Sequence, residues 1–158
     1  MVTAYIGIGS NLGRRKNNLK KAIEEISARH RIISKSAIYE TEPVGKIKQN
    51  HFYNCVIAIE TEVPPRRLLK TLKSIEKLMG RKHEVKWGPR NIDLDLLACG
   101  EAIVNKDGLS VPHPEMHRRK FVLVPLRDIA GDFVHPATGE SVGEMLRKAP
   151  EILTRKLK

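Results

Sequence analysis

Asp93 and Asp95 are the residues of this chain best spaced for chemistry. They lie in the run Trp87-Gly88-Pro89-Arg90-Asn91-Ile92-Asp93-Leu94-Asp95-Leu96, where an arginine held by a Gly-Pro turn precedes two carboxylates. On a strand, side chains at i and i+2 leave one face together. Asp93 and Asp95 would then project side by side, with Ile92, Leu94, Leu96 and Ala98 burying the other face. Neighbouring carboxylates repel unless something positive sits between them. A hard divalent cation answers that need, because Mg²⁺ takes one or two carboxylates plus phosphate oxygens. Arg90 suits the phosphate side of such a site. A bare Asp-x-Asp is more often a solvated pair on an edge strand. The lead-in shifts the balance, since an exposed tryptophan beside an arginine is uncommon without a ligand to stack on.

The elements that must position this pair follow from hydrophobic periodicity. Val2, Ala4, Ile6 and Ile8 alternate, giving a first strand over residues 2–8. Leu19, Ala22, Ile23 and Ile26 mark an amphipathic helix over 14–29, and residues 31–39 read as a second strand. A polar stretch from Glu40 to Gln49, with Pro43 and Gly45, is long enough for a mobile loop. Residues 52–62 form a third strand. Pro64-Pro65 open a second helix with Leu68, Leu72, Ile75 and Met79 on one face and Gly80 past its end. A polar loop over 81–91 leads into the Asp-bearing strand, 92–99. The order βαββαβ is that of an α+β, ferredoxin-like antiparallel sheet with helices on one face, the other face being left for a ligand or added strands.

The last third is less regular. Ile103-Val104 and Leu109-Val111 flank a turn and suggest a hairpin. Phe121 to Ala130 reads as a helix interrupted or begun at Pro125, and Ser141 with Glu144 forms a capping box for a short helix. The basic tail, Arg155 to Lys158, is expected to fray.

With 158 residues, the chain suggests one domain, 1–158, with room for one good core. No run is long enough to span a membrane, and the N-terminus lacks signal-peptide character, so a cytoplasmic location is expected. Cys55 and Cys99 fall in apolar runs without metal-ligand spacing and read as small core residues. A net charge of +11 favours anionic partners without choosing among them.

Other stretches are weaker alone. Gly7-Ile8-Gly9-Ser10-Asn11-Leu12-Gly13 matches neither a Rossmann fingerprint nor a P-loop and reads as a tight turn, with Asn11 helping to cap the first helix. The basic loop from Arg81 to Lys86 can fold over phosphates or simply be solvated. Phe52 and Asn54 share a strand face, where a ring and an amide suit a planar heterocycle, but from these residues alone core packing for Phe52 and strand-start polarity for Asn54 are the stronger reading. The run from Val111 to Phe121 holds His113, His117 and three cations; Pro114 argues against a helical zinc pair, and a phosphate-contacting histidine with Arg119 is the better functional reading, beside the alternative that one or both histidines are surface residues.

Together these residues resemble the 6-hydroxymethyl-7,8-dihydropterin pyrophosphokinase family. The resemblance runs from Tyr5–Gly13 through Tyr39–Gly45, Phe52-Tyr53-Asn54, Gly88–Leu97 and Val111–Pro114 to Phe121–Leu126. It implies transfer of pyrophosphate from ATP to the hydroxymethyl group of a reduced pterin, in folate synthesis. It also implies two Mg²⁺ on Asp93 and Asp95, with Arg81 and Arg90 as catalytic arginines. ATP contacts carry over to Arg81, Trp87, Arg90, Leu96, Ser110, His113 and Arg119. Pterin contacts carry over to Thr41, Pro43, Val44, Gly45, Phe52, Asn54, Trp87 and Phe121, with the two phenylalanines sandwiching the ring. Where some members carry a second lid arginine, this chain offers Lys82 or His83, and Lys73 stands where some have glutamine. A monomer that binds neither nucleic acid nor membrane is expected. The competing readings are a nucleic-acid-binding module, which would show steep salt-dependent RNA binding without ATP turnover, and a sugar-nucleotide transferase, for which the chain is short.

Overall fold

The computed structural model describes residues 1–81 and 89–158. Strand β1 (Val2–Ser10) is followed by helix α1 (Arg15–Ser27), β2 (Arg31–Lys35), β3 (Tyr39–Thr41), β4 (Phe52–Thr61), α2 (Pro65–Leu78) and β5 (Asp93–Cys99). A hairpin, β6 (Val104–Lys106) and β7 (Leu109–Val111), precedes α3 (Lys120–Ile129), α4 (Val142–Lys148) and β8 (Thr154–Lys156). The main sheet runs β5-β1-β4-β3-β8, with β2 also on β4, and the pairings are antiparallel. This is the expected ferredoxin-like core. No described helix is long and apolar enough to cross a membrane.

The core forms where the periodicity places it. Ala4, Ile6 and Ile8 of β1 and Cys55, Ile57 and Ile59 of β4 meet Leu19 and Ile26 of α1 and Leu68, Leu72 and Ile75 of α2. Both cysteines are free and buried.

The structure departs from expectation in five places. The second strand is broken into β2 and β3, because Ser36 takes over from the ladder: its Oγ accepts the Val56 N–H at 2.9 Å. The face expected to lack helices carries α3 and α4, which bury Val56 and Leu97 under Val122, Leu123, Leu126 and Met145. Helix α3 runs through Pro125, burial of its apolar side chains outweighing the missing N–H. The basic tail is not frayed but paired, as β8 on β3. Finally, β5 slips by one residue against β1 between Tyr5 and Ile6, so Ala98 pairs with Tyr5 and falls on the α3 side, while Cys99 joins the α1–α2 core. The capping box at Ser141 and Glu144 is present as expected.

Candidate active site

Three strands set the floor of a cleft of about 290 Å³. Asp93 lies opposite Gly9, Gly9 lies opposite Asn54, and one row along Asp95 lies opposite Gly7. The aspartates on β5 and the amide on β4 thus face one space across two glycines of β1. The glycine run is therefore no tight turn at Gly7 and Gly9. A Cβ on Gly9 would lie 2.5 Å from Asn54 Oδ1 and 3.6 Å from the Phe52 ring. Nor does Asn11 cap α1. Its backbone and Oδ1 bond both backbone groups of Arg90, and its Nδ2 donates to Gln49 Oε1 at 2.7 Å and Asn50 O at 3.0 Å. It holds together the two long loops that border the cleft.

One end of the cleft is charged. Helix α2 ends in a Schellman motif: Gly80, at φ +82, lets the Arg81 N–H return to Glu76 O and its own N–H to Lys77 O. This turn puts the Arg81 guanidinium against the Glu76 carboxylate and 2.9 Å from Asp93 Oδ1. Glu76 is buried, accepts the Leu94 N–H of edge strand β5 at 2.8 Å, and lies 3.3 Å from Lys73 Nζ. Sequence reading missed Glu76. Its signal was a single carboxylate on the apolar stripe of α2, beside Leu72 and Ile75.

Asp95 has weaker company. His113 Nε2 and Arg119 Nη1 each stand 3.9 Å from its oxygens, beyond hydrogen-bond reach. Burial, then the charge of Asp93, pushes its carboxyl up to about 7. The donor set fits a hard divalent cation: paired carboxylate oxygens, under-neutralised and open to the cleft. Among the described residues no three His, Cys, Asp or Glu side chains converge as a closed metal cage. A cation here would complete its shell with ligand oxygens and water.

His113 Nδ1 accepts the Glu115 N–H at 3.1 Å, so Nε2 carries the ring proton and points toward Asp95. Burial and Arg119 lower its pKa to about 4, leaving a neutral donor. Arg119 also lies 5.4 Å from the centre of the Phe121 ring.

The other end centres on a neutral amide–hydroxyl pair. Asn54 Nδ2 donates to Thr41 Oγ1 at 2.6 Å, and both side chains are buried. Phe52, Phe121 and Val44 add apolar wall, and Glu42 adds a carboxylate. A planar group with a polar edge fits between the phenylalanines and the amide.

Of the residues picked from sequence, Thr41, Val44, Phe52, Asn54, Arg81, Arg90, Asp93, Asp95, His113, Arg119 and Phe121 all line this cleft. Pro43 and Gly45 flank Val44 in the adjoining loop. Leu96 is buried in the α1–α2 core, and Ser110 lies in the hairpin, its Oγ 3.1 Å from Asn105 Oδ1. Trp87, Lys82 and His83 lie outside the described residues. Lys73 and Glu42 also line the cleft, unforeseen as members of it.

Comparison with known proteins gives the family and the fold. Residues 5–131 match the family model described as 7,8-dihydro-6-hydroxymethylpterin-pyrophosphokinase. The chain is 44% identical over 150 residues to a Methylorubrum extorquens protein named 2-amino-4-hydroxy-6-hydroxymethyldihydropteridine pyrophosphokinase, covering 94% of each. A Haemophilus influenzae protein of the same name is 42% identical, with 86% of each covered. Against a folic acid synthesis protein of Pneumocystis carinii, at 43% identity, the match takes in 91% of this chain but only 20% of that protein. Among solved structures, a Plasmodium falciparum HPPK-DHPS with pterin and p-hydroxybenzoate shares the fold at TM-score 0.73 and 17% identity, over 93% of this chain and 41% of that one. The chain belongs to the 7,8-dihydro-6-hydroxymethylpterin-pyrophosphokinase family.

Proposed function

We propose that this chain transfers the terminal pyrophosphate of ATP to 6-hydroxymethyl-7,8-dihydropterin, giving AMP and the pterin diphosphate in folate synthesis. One observation carries the reading: the Asp93–Asp95 pair and the Thr41–Asn54 pair face a single cleft across Gly7 and Gly9. A polyphosphate and a flat heterocycle can therefore meet there.

The pterin ring lies between Phe52 and Phe121, with Asn54, held by Thr41, reading its edge. Pro43, Val44 and Gly45 border it in the loop that follows β3. Arg81, Arg90 and Arg119 bind phosphate oxygens, and the adenine rests near Leu96 and Ser110. Asp93 and Asp95 hold two Mg²⁺, which supply neutralising charge to the polyphosphate. The pterin hydroxyl oxygen bonds to the β-phosphorus as its proton passes to water, the bond from the β-phosphorus to the oxygen bridging it to the α-phosphorus breaks, and AMP leaves with that oxygen. Arg81 is fixed by Glu76 before substrate arrives, so its charge needs little reorganisation as the transition state forms. His113 donates from Nε2 to phosphate and does not act as a base. Residues 1–158 act as one pyrophosphokinase domain, monomeric and cytoplasmic.

The test is a product assay with ATP, Mg²⁺ and the dihydropterin. AMP formed one-for-one with pterin diphosphate is expected. ADP would overturn the chemistry, and no turnover by folded protein would overturn the assignment.

A further inference from the structure

Strand β8 lies beyond residue 131, where the matched family model ends, and at the sheet edge opposite β5. It is bound to the start of the 42–51 loop by more than a ladder. The Leu153 N–H donates to Glu42 Oε1 at 2.8 Å, and the Leu153 carbonyl accepts the Glu42 N–H at 3.2 Å. The Leu157 N–H donates to Ile38 O at 2.9 Å, and Arg155 pairs with Glu40. The second oxygen of Glu40 lies 3.4 Å from His51 Nδ1, at the far end of the same loop.

Thr41 is the pivot. It pairs with Thr154 of β8 on one side and Phe52 of β4 on the other, and its Oγ1 receives the Asn54 amide. Strand β3 is three residues long and opens straight into a loop. Without β8 it would be a short edge, and such segments open locally at low free-energy cost. Opening would take Thr41 from Asn54 and leave a buried amide unpaired.

We propose that β8 is a positioning strand for the pterin end of the cleft, fixing Thr41 and Glu42 while leaving the aspartate end untouched. The inference rests on the pyrophosphokinase reading. The sheet order is its physical basis, since β3, β4 and β1 separate β8 from β5.

The test uses full-length Leu153→Pro, which removes the N–H that Glu42 accepts, together with Arg155→Ala and Arg155→Lys. Dihydropterin affinity is measured with Mg²⁺ and a non-hydrolysable ATP analogue; affinity for the analogue is measured separately. Leu153→Pro is expected to weaken pterin binding about tenfold, the scale of one charge-assisted hydrogen bond, with nucleotide binding unchanged. Arg155→Ala should show a smaller loss that Arg155→Lys restores. Unchanged pterin affinity, or equal loss of both ligands, overturns the proposal. Should Leu153→Pro not fold, the Arg155 pair decides: loss with rescue supports it, no loss overturns it. Wild-type protein that neither binds pterin nor forms AMP fails the functional reading itself, and is seen before any variant is made.

Discussion

The two ends of the cleft are built on opposite plans. At the end proposed for the pterin, Asn54 and Thr41 satisfy each other at 2.6 Å on inner strand β4 and its neighbour β3. At the end proposed for the phosphates, edge strand β5 carries two neighbouring carboxylates, and among the described residues the Arg119 guanidinium stops 3.9 Å from Asp95. One end is complete without ligand; at the other, Asp93 is paired with Arg81 while Asp95 stays beyond hydrogen-bond reach of Arg119, a deficit that a cation and a polyphosphate would settle. A preformed recognition surface thus sits beside an electrostatic deficit, and substitutions at the two ends should separate cleanly.

The largest effect is expected at the deficit. Asp95→Ala removes a carboxylate held partly protonated by burial and by Asp93. Turnover should fall by about three orders of magnitude or more, the scale of losing a metal-anchoring charge, while the fold and pterin affinity persist. Single-turnover AMP formation beside a thermal melt checks both. Near-normal turnover would break the contrast between the ends.

Next is the boundary between them. Gly9→Ala puts a methyl 2.5 Å from Asn54 Oδ1, so the amide must leave its place against Thr41. Pterin binding should weaken by about ten- to a hundredfold, from one or two lost polar contacts, with nucleotide affinity retained. Titration of each ligand separately reads the split. Equal weakening of both would mean that the glycine floor serves the whole cleft.

Glu76→Ala should affect both stability and rate. It strands the Leu94 N–H and loosens Arg81, one donor of the phosphate end. A loss of about 2–3 kcal/mol in denaturant unfolding is expected for a buried, charge-assisted network. The accompanying fall in kcat should exceed any change in pterin KM. Unchanged kcat at reduced stability would make Glu76 a strand anchor only.

How far the sequence led differs between the ends too. The Asp93–Asp95 pair was legible because strand period alone sets its direction, and the βαββαβ core because its apolar spacing is regular. The glycines of β1 were misread: a local pattern does not say that Gly9 must clear Asn54, forty-five positions on. Asn11 was misread for the same reason, its partners Gln49, Asn50 and Arg90 all being distant in sequence. The break between β2 and β3 depends on a Ser36 hydroxyl replacing a ladder partner, and β8 on a basic tail finding a three-residue edge. Charge pattern reads such a tail as solvated, because pairing is decided by the strand it meets.

The smallest effect concerns how the pterin end is braced from behind. Tyr39, next but one to Thr41, donates its hydroxyl to Asp128 of α3, with the two carboxylate oxygens at 2.8 and 2.9 Å; Asp128 also accepts the Ala37 N–H at 3.2 Å. Burial, then this hydrogen bond, raises the phenol from 10.0 to about 12. A folded-state pKa above the unfolded one stabilises the fold fully below pH 10.0 and loses that contribution as pH rises to about 12. The wild type should therefore lose stability across that window more steeply than Tyr39→Phe, in denaturant unfolding paired with phenolate absorbance. Parallel slopes would mean that the hydroxyl does not brace β3. The pterin end would then owe its order to β4 and β8 alone.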